Sequence, residues 1–363
     1  MTTAFINRIG TAVPAHDVHA AYLRFVEPCL ESEAERKLLA RMAARSGIDH
    51  RWSCFPTGSG LGCADGEGFY RRGAFPTTGA RMRRYDRDGL ALGRQSVAAL
   101  DLDAGDLSAL THLIFISCTG FSAPGIDQRL IEVLGLDPAI ERTSIGFMGC
   151  AAAVNGLKLA RHIIRSQPDA RVLMLNVELC TLHFQESNDL EKILSGMLFA
   201  DGAAATLITA EPHGLALEGF RAVTLPDSSD LIRWEIGDSG FAMHLAGAVP
   251  GRIAAALAAE IGRNLPGGLF DGQPPEAFDT WAVHPGGRTV LDAVERGLGL
   301  PGAALRRSRD VLRDFGNMSS ATILFVLQRI LCGSDDGRGQ GFGLAFGPGV
   351  VAETFRFRFA GPA

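Results

Sequence analysis

The sequence predicts an α/β protein made of two similar halves, and three observations support this fold class. Apolar segments typical of buried strands are followed by turns rich in glycine and proline, and then by segments with helical spacing. The second half repeats the order of these features found in the first. With 47% hydrophobic and 21% charged residues, the 363-residue chain has the composition of a globular protein with a large core.

The first half begins with a short strand and a loop over residues 1–20 and a predicted helix over 31–46. Residues 55–85 are rich in glycine, arginine, proline and threonine and have no clear period. We therefore predict a long surface segment there, of a kind that often forms a functional lid. A helix over 88–99 and a buried strand over 112–118 follow.

After a break at 119–125, the sequence predicts a helix over 126–134 and another that ends near residue 165. Strands are predicted over 171–179 and 203–209. The second half then shows a strand over 280–284, a helix that ends at Leu298-Gly299-Leu300, a helix over 319–331 and a strand over 343–346. Because the turns fall at corresponding places in the two halves, we expect an internal duplication with a site between the halves.

Charge and cysteine content narrow the class of protein further. A net charge of −5 argues against general nucleic-acid binding, and no apolar run reaches the roughly 20 residues of a membrane span. The first residues lack the pattern of a signal peptide, so we expect a cytoplasmic protein. The seven cysteines have neither metal-site nor disulfide spacing, so we expect reduced thiols and no bound metal.

Cys150 lies where a strand-like segment ends and a helix-like segment begins, within residues 143–153. Backbone N–H groups at a helix start favour a negative sulfur, which makes Cys150 a candidate nucleophile. The alternative is a buried cysteine that only fills space. His284 and Asn317 occupy corresponding turns of the second half. An imidazole can activate a thiol and an amide can donate to an oxyanion, although a structural histidine and a helix-capping asparagine are the alternatives.

Four segments together resemble the signature segments of type III polyketide synthases, the chalcone synthase-like family: Gly149-Cys150, His284-Pro285-Gly286-Gly287, Gly316-Asn317-Met318-Ser319-Ser320-Ala321 and Phe346-Gly347-Pro348-Gly349. The resemblance covers essentially the whole chain. It implies a duplicated αβαβα thiolase-like fold with two pseudo-symmetric halves, residues 1–218 carrying the nucleophile and residues 219–363 carrying the histidine and asparagine. It also implies a homodimer that uses no cofactor and no carrier protein.

The same resemblance implies roles for individual residues. Cys150 is the expected nucleophile, His284 its imidazole partner and Asn317 the oxyanion donor. Phe199 resembles the family's aromatic gatekeeper, and Ser319 resembles a serine close to the catalytic asparagine. Further cavity positions, which depart from the plant pattern, are Met243, Cys118, Ala123, Cys180 and His183. Arg41 and Arg45 fall where the family binds the phosphates of CoA, although a solvated helix face with Lys37 is the alternative.

The implied reaction is iterative. Malonyl-CoA is condensed, with loss of CO2, onto an acyl-CoA starter held on Cys150, and the chain then cyclises to a pyrone or a phenolic product. The departures from the plant pattern, and a 55–85 segment more similar to bacterial members, argue against plant chalcone synthesis. The rival functions are a ketoacyl synthase III-like single condensation, a cysteine hydrolase, and a thiolase-like binding protein without activity.

Overall fold

The computed structural model describes residues 2–60, 62–333 and 339–361. Its helices are α1 (His19–Val26), α2 (Glu33–Ala44), α3 (Thr78–Ala98), α4 (Ala104–Ser108), α5 (Ile126–Leu134), α6 (Ala152–Ser166), α7 (Leu190–Gly196), α8 (Val249–Arg263), α9 (Arg288–Leu298), α10 (Arg306–Phe315) and α11 (Thr322–Cys332). Its strands are β1 (Ala4–Ala12), β2 (His16–Asp17), β3 (Trp52–Ser53), β4 (Thr57–Gly60), β5 (Cys63–Asp65), β6 (His112–Ser117), β7 (Glu141–Gly146), β8 (Val172–Leu179), β9 (Asp201–Thr209), β10 (Gly214–Thr224), β11 (Ile232–Gly237), β12 (Gly240–Leu245), β13 (Thr280–Val283), β14 (Gln340–Gly347) and β15 (Val351–Ala360).

The large strands of the described residues form a nine-stranded mixed sheet in the order β13-β14-β15-β10-β1-β9-β8-β6-β7. The strands β6, β7 and β8 run parallel, as their continuous apolar sequences predict for β6 and β8. The two halves join through the antiparallel pair β1 and β10. In addition, β11 and β12 form a separate hairpin.

Two buried helices occupy the centre of the molecule. Leu157 of α6 and Leu324 of α11 are fully buried in one core together with Met174 of β8 and Phe355 of β15. Two further cores lie on the outer faces of the sheet, one beneath α3 and α5 and the other beneath α8 and α9. The chain therefore forms the αβαβα arrangement that the sequence predicts, because α11 is apolar over most of its surface and the buried face of α6, with Ala153, Leu157 and Ala160, packs in the same core.

The duplication is clearest where the central helices begin. Each is preceded by a single 3-10 turn, Gly149–Ala151 before α6 and Ser319–Ala321 before α11, and the two turns contact each other. The division at residues 218 and 219 stays a prediction, and it falls inside β10, which pairs with both halves. Among the described residues, no helix is long and apolar enough to cross a membrane.

The element predictions are confirmed in most places and wrong in one important segment. The helix over 126–134 and the strand over 112–118 are found within a residue of their predicted bounds. The segment 55–85 is not only a surface loop, because it contains the hairpin β4–β5 and the first turns of α3. The side chains of Phe55 and Tyr70 are buried, since they pack in the core beneath α3.

Candidate active site

Cys150 is half-buried at the start of the α6 segment, as its position in the sequence predicts. Its Sγ atom lies 4.0 Å from Oδ1 of Asn317 and 3.9 Å from Oγ of Ser319. Burial raises the pKa of the Cys150 thiol to about 12, although the contacts with Ser319 and Asn317 act in the opposite direction. The expected stabilisation of a thiolate by the helix start is therefore outweighed by burial in this structure.

Asn317 is held by its backbone and by its side chain. Its N–H donates to the Leu198 carbonyl and its own carbonyl accepts from Ala200 N–H, both at 2.9 Å. Its Oδ1 accepts from the Ser319 N–H at 2.9 Å, which fixes the orientation of the amide because an N–H can only donate. Nδ2 donates to the Gly286 carbonyl at 3.2 Å and keeps a second hydrogen for a ligand.

His284 follows β13 and is 2% exposed. Its backbone N–H donates to the Leu344 carbonyl, but neither ring nitrogen has a hydrogen-bond partner among the described residues. Burial lowers the pKa of His284 to about 3, so the isolated ring is neutral. Buried polar atoms are nearly always paired, and an unpaired imidazole in a cavity therefore favours a functional histidine over a structural one.

Cys150, His284, Asn317 and Ser319 line one cavity of about 330 Å³. This volume is in the usual range for a small-molecule site. The predicted cavity residues Phe199, Met243, Cys118, Cys180 and His183 line the same cavity. On another side, its wall consists of side chains from the N-terminal region and the 55–85 segment together with Phe184, which follows β8: Val18, Tyr22, Phe55, Ala64, Tyr70 and Phe184.

Three predicted site residues lie outside this cavity. Ala123 is exposed on the loop between β6 and α5, because the chain turns away from the cavity after Thr119. Arg41 and Arg45 are exposed at the end of α2. However, the Arg45 carbonyl accepts a 3.1 Å hydrogen bond from Nη1 of Arg288, so this end of α2 lies beside the segment that follows His284.

Trp234 is a cavity residue that the sequence analysis missed. Its Nε1 donates to the Cys118 carbonyl at 2.7 Å, and its ring meets the His183 ring edge-on. His183 uses both ring nitrogens, because Nε2 donates to Thr119 O at 2.7 Å and Nδ1 accepts from Phe241 N–H at 3.0 Å. The histidine is therefore a neutral, fixed part of the wall, and it joins the hairpin β11–β12 to the loop after β6.

Glu178 is a second residue without a sequence signal. It is fully buried behind the cavity and accepts hydrogen bonds from Ser320 Oγ, Cys118 N–H and Thr119 Oγ1. Burial raises the pKa of its carboxyl to about 7. No described group of three histidine, cysteine, aspartate or glutamate residues has the placement of a metal site.

Comparison with known proteins agrees with this geometry. The family model described as "Chalcone and stilbene synthases, N-terminal domain" matches residues 2–212, and the corresponding C-terminal model matches residues 219–360. The chain is 32% identical to a 1,3,6,8-tetrahydroxynaphthalene synthase of Streptomyces peucetius over 98% of this chain and 93% of that protein. It is 31% identical to the alpha-pyrone synthesis polyketide synthase-like Pks18 of Mycobacterium tuberculosis, over 73% of this chain and 68% of that protein.

The fold is similar to that of the C-terminal type III polyketide synthase domain of Steely1 from Dictyostelium. The TM-score is 0.87 at 23% identity, and the similarity covers 99% of this chain and all of the other. The family models and the relatives together leave little of the chain unmatched. The chain therefore belongs to the chalcone and stilbene synthase family, the type III polyketide synthases.

Proposed function

We propose that Cys150 accepts an acyl group from a CoA thioester and that malonyl-CoA extends it repeatedly before cyclisation to a pyrone or a phenolic product. The observation that carries this proposal is the unpaired His284 ring in the same cavity as Cys150 and Asn317. The two relatives, a 1,3,6,8-tetrahydroxynaphthalene synthase and an alpha-pyrone synthesis polyketide synthase-like protein, support these two product classes.

The first step is acyl transfer. The Cys150 proton moves to His284, the resulting thiolate attacks the thioester carbonyl of the starter, and the proton then passes from His284 to the departing CoA thiolate. The Cys150–acyl bond forms as the carbonyl–sulfur bond of the CoA thioester breaks. His284 is neutral again at the end of this step and can donate an N–H hydrogen bond.

The second step is decarboxylative condensation. Malonyl-CoA places its thioester carbonyl against His284 and the free hydrogen of Asn317 Nδ2, which stabilise the enolate formed as CO2 leaves. The enolate carbon attacks the acyl carbon, so a C–C bond forms and the bond to Cys150 breaks. We propose that this cycle needs no metal, no cofactor and no carrier protein.

Loss of the acyl carrier tests the assignment. Cys150→Ala removes the sulfur and leaves His284 and Asn317, so polyketide formation from acyl-CoA and radiolabelled malonyl-CoA should vanish while malonyl-CoA decarboxylation persists. If the variant forms product at about a tenth or more of the wild-type level, this result would contradict the nucleophile assignment. A single condensation by the wild type would instead favour the ketoacyl synthase III-like alternative.

We also propose a cytoplasmic homodimer. All seven cysteines are free thiols, which supports a reducing compartment. The strand β7 is an edge of the large sheet, and its residues Glu141–Ser144 are exposed. An exposed edge can pair with a second copy, and Phe121 and Met148 nearby are exposed apolar side chains. Sedimentation equilibrium tests this, and a monomer mass would contradict it.

A further inference from the structure

Arg51 is a buried guanidinium in the wall of the cavity that the mechanism above does not use. It lies immediately before β3 and is only 2% exposed. No carboxylate of the described residues forms a salt bridge with it, and its Nη2 has no hydrogen-bond partner among them. The acceptors that its guanidinium contacts are neutral, and the nearby Asp17 carboxylate accepts instead from the Arg51 backbone N–H at 3.1 Å, which is an unusual arrangement for a buried charge.

Arg51 joins the 196–199 segment to the N-terminal region of the chain. Its Nη1 donates to the carbonyls of Gly196 at 3.0 Å and Phe199 at 2.6 Å. Its Nε donates to Nδ1 of His19 at 3.0 Å, and its guanidinium carbon lies 4.6 Å from the centre of the Tyr22 ring. The planar guanidinium therefore fixes the 196–199 turn from one side.

The opposite side of this turn holds Asn317. Both backbone hydrogen bonds of Asn317 are made to Leu198 and Ala200, and Phe199 pairs with Asn317 as an isolated parallel bridge. The side chain of Arg51 also packs against Gly316, the residue before Asn317. A Cβ atom built on Gly316 would lie 2.9 Å from Cγ of Arg51, so the two residues are in close contact.

A buried guanidinium without a carboxylate partner is a poor source of stability, since an apolar side chain of similar volume would avoid the loss of hydration. Burial lowers the pKa of Arg51 to about 10, so the group is still charged at neutral pH. Two carbonyls held by Nη1 of one planar guanidinium are better explained by a need for fixed geometry than by a need for stability.

We propose that Arg51 is a positioning residue that fixes the Asn317 carboxamide and the Phe199 ring through the 196–200 segment. It acts on the decarboxylation step without touching the substrate. The proposal rests on the proposed role of Asn317 as oxyanion donor. Misplacement of such a donor by about 1 Å can lower a rate about 100-fold, so a modest shift of this segment has a measurable effect.

The test uses Arg51→Gln and measures malonyl-CoA decarboxylation by the full-length enzyme. We expect kcat to fall about 10- to 100-fold with KM for malonyl-CoA changed by less than about twofold, because only transition-state contacts are weakened. The rate of Cys150 alkylation by iodoacetamide should stay within about twofold of the wild type. Arg51→Lys, which keeps a charged donor to one carbonyl, should recover part of kcat.

Arg81→Gln is the matched control. Arg81 is fully buried, donates to the carbonyls of Pro76, Leu182 and Phe184, and lies over Tyr70, and these contacts do not include the Asn317 segment. It should lose stability as Arg51→Gln does while kcat is retained below the unfolding temperature. An equal loss of kcat in both variants would reduce Arg51 to a structural residue.

A double-mutant cycle separates this inference from the proposed function. In an Asn317→Ala background, Arg51→Gln should cause little further loss, since Arg51 acts through Asn317. Additive losses would overturn the positioning role. If Asn317→Ala itself keeps the wild-type decarboxylation rate, the proposed role of Asn317 fails. If only Asn317→Ala is impaired and Arg51→Gln is not, the positioning proposal alone fails. If Arg51→Gln does not fold, the same double-mutant cycle is measured with Arg51→Lys and Asn317→Ala.

Discussion

The charges of Cys150 and His284 depend on each other. Burial alone favours the neutral thiol, with a pKa of about 12, and the neutral imidazole, with a pKa of about 3. Neither charge is therefore favourable by itself in this cavity. If the proton moves from Sγ to the ring, the two opposite charges stabilise each other, and each offsets the desolvation of the other. The thiolate predicted from the sequence thus requires the imidazole as well as the helix start.

His284→Ala should therefore change the pH dependence of Cys150 alkylation. Without the imidazolium, the burial-raised pKa of the thiol is uncompensated, so the rate with iodoacetamide should be low at pH 7 and rise steadily up to pH 9. The wild type should instead reach a plateau at lower pH, since its thiolate forms in the ion pair.

His112→Gln serves as the control for this measurement, because His112 is a buried histidine outside the cavity. Its profile should match the wild type. A wild-type profile that also rises without a plateau would contradict the ion pair and leave Cys150 a neutral thiol in the free enzyme.

The sequence predicts some of these residues much better than others. Cys150, His284 and Asn317 stand in short motifs at turns, where side chains at strand ends and helix starts can converge. Arg51 and Trp234 stand in no such motif. Their roles depend on contacts with Phe199 and Cys118, which are more than 100 positions away in the chain. Such long-range contacts leave no local pattern that a single sequence reveals.

The helix α2 begins with a capping box formed by Ser32 and Glu35, which fixes its start. At its other end, Arg41 and Arg45 are exposed, and neither guanidinium has a partner among the described residues. Lys37, one turn earlier, is paired with Glu33 at 2.7 Å. The two unpaired cations at the end of α2 thus lie where an anionic group near the segment after His284 can meet them.

The double variant Arg41→Ala, Arg45→Ala should raise KM for CoA thioesters about 10-fold or more and change kcat much less, because phosphate contacts are equally present in the ground state and the transition state. The difference from the wild type should shrink as salt is added. Steady-state kinetics at two ionic strengths measure both effects.

Lys37→Ala is the matched control, since it removes a charge of the same sign from the same helix. It should leave KM unchanged because Lys37 is already paired. An equal rise of KM for Lys37→Ala would indicate a general effect of helix charge, and no rise in the double variant would support the solvated helix face.

The apolar periodicity of the sequence predicts the bounds of some helices more accurately than those of others. The helix α5 has a clear apolar stripe and ends at a left-handed glycine, Gly135, so its bounds are visible in the sequence. The helix α3 begins ten residues before its predicted start. Its buried face is made partly of Gly89 and Gly93, which pack closely on Val177, so the apolar period is missing there.

The cavity is a property of the whole molecule, because its walls come from both halves. The duplicated order of turns predicted a site between the halves, and the 3-10 turns before α6 and α11 do meet there. The sequence suggests a functional role for the 55–85 segment but not which of its side chains form a wall of the cavity. Phe55 and Tyr70 enter it through an aromatic cluster with Phe184, whose rings come from separate parts of the sequence.

This wall suggests which starters the enzyme accepts. The apolar side chains around Ala64 offer room for an aliphatic acyl chain, and Ala64 itself is only partly buried beside them. Trp234 and the fixed His183 ring narrow the cavity on another side. We therefore expect the aliphatic part of a starter to extend from Cys150 toward the 55–85 segment.

Ala64→Phe adds a ring to that wall while Cys150, His284 and Asn317 keep their surroundings. Activity with long-chain acyl-CoA should fall about 10-fold or more, whereas activity with acetyl-CoA or another short starter should stay within about twofold. Ala74→Phe adds the same ring at an exposed position of the same segment outside the cavity, so its chain-length profile should match the wild type. Product profiles by mass spectrometry across a series of acyl-CoA lengths measure both.

If Ala64→Phe lowers activity equally with every starter, the ring disturbs the fold or the catalytic residues rather than a chain-binding wall. If the profile is unchanged, the acyl chain leaves Cys150 in another direction, and the walls near Met243 and Trp234 become the place where starter length is selected.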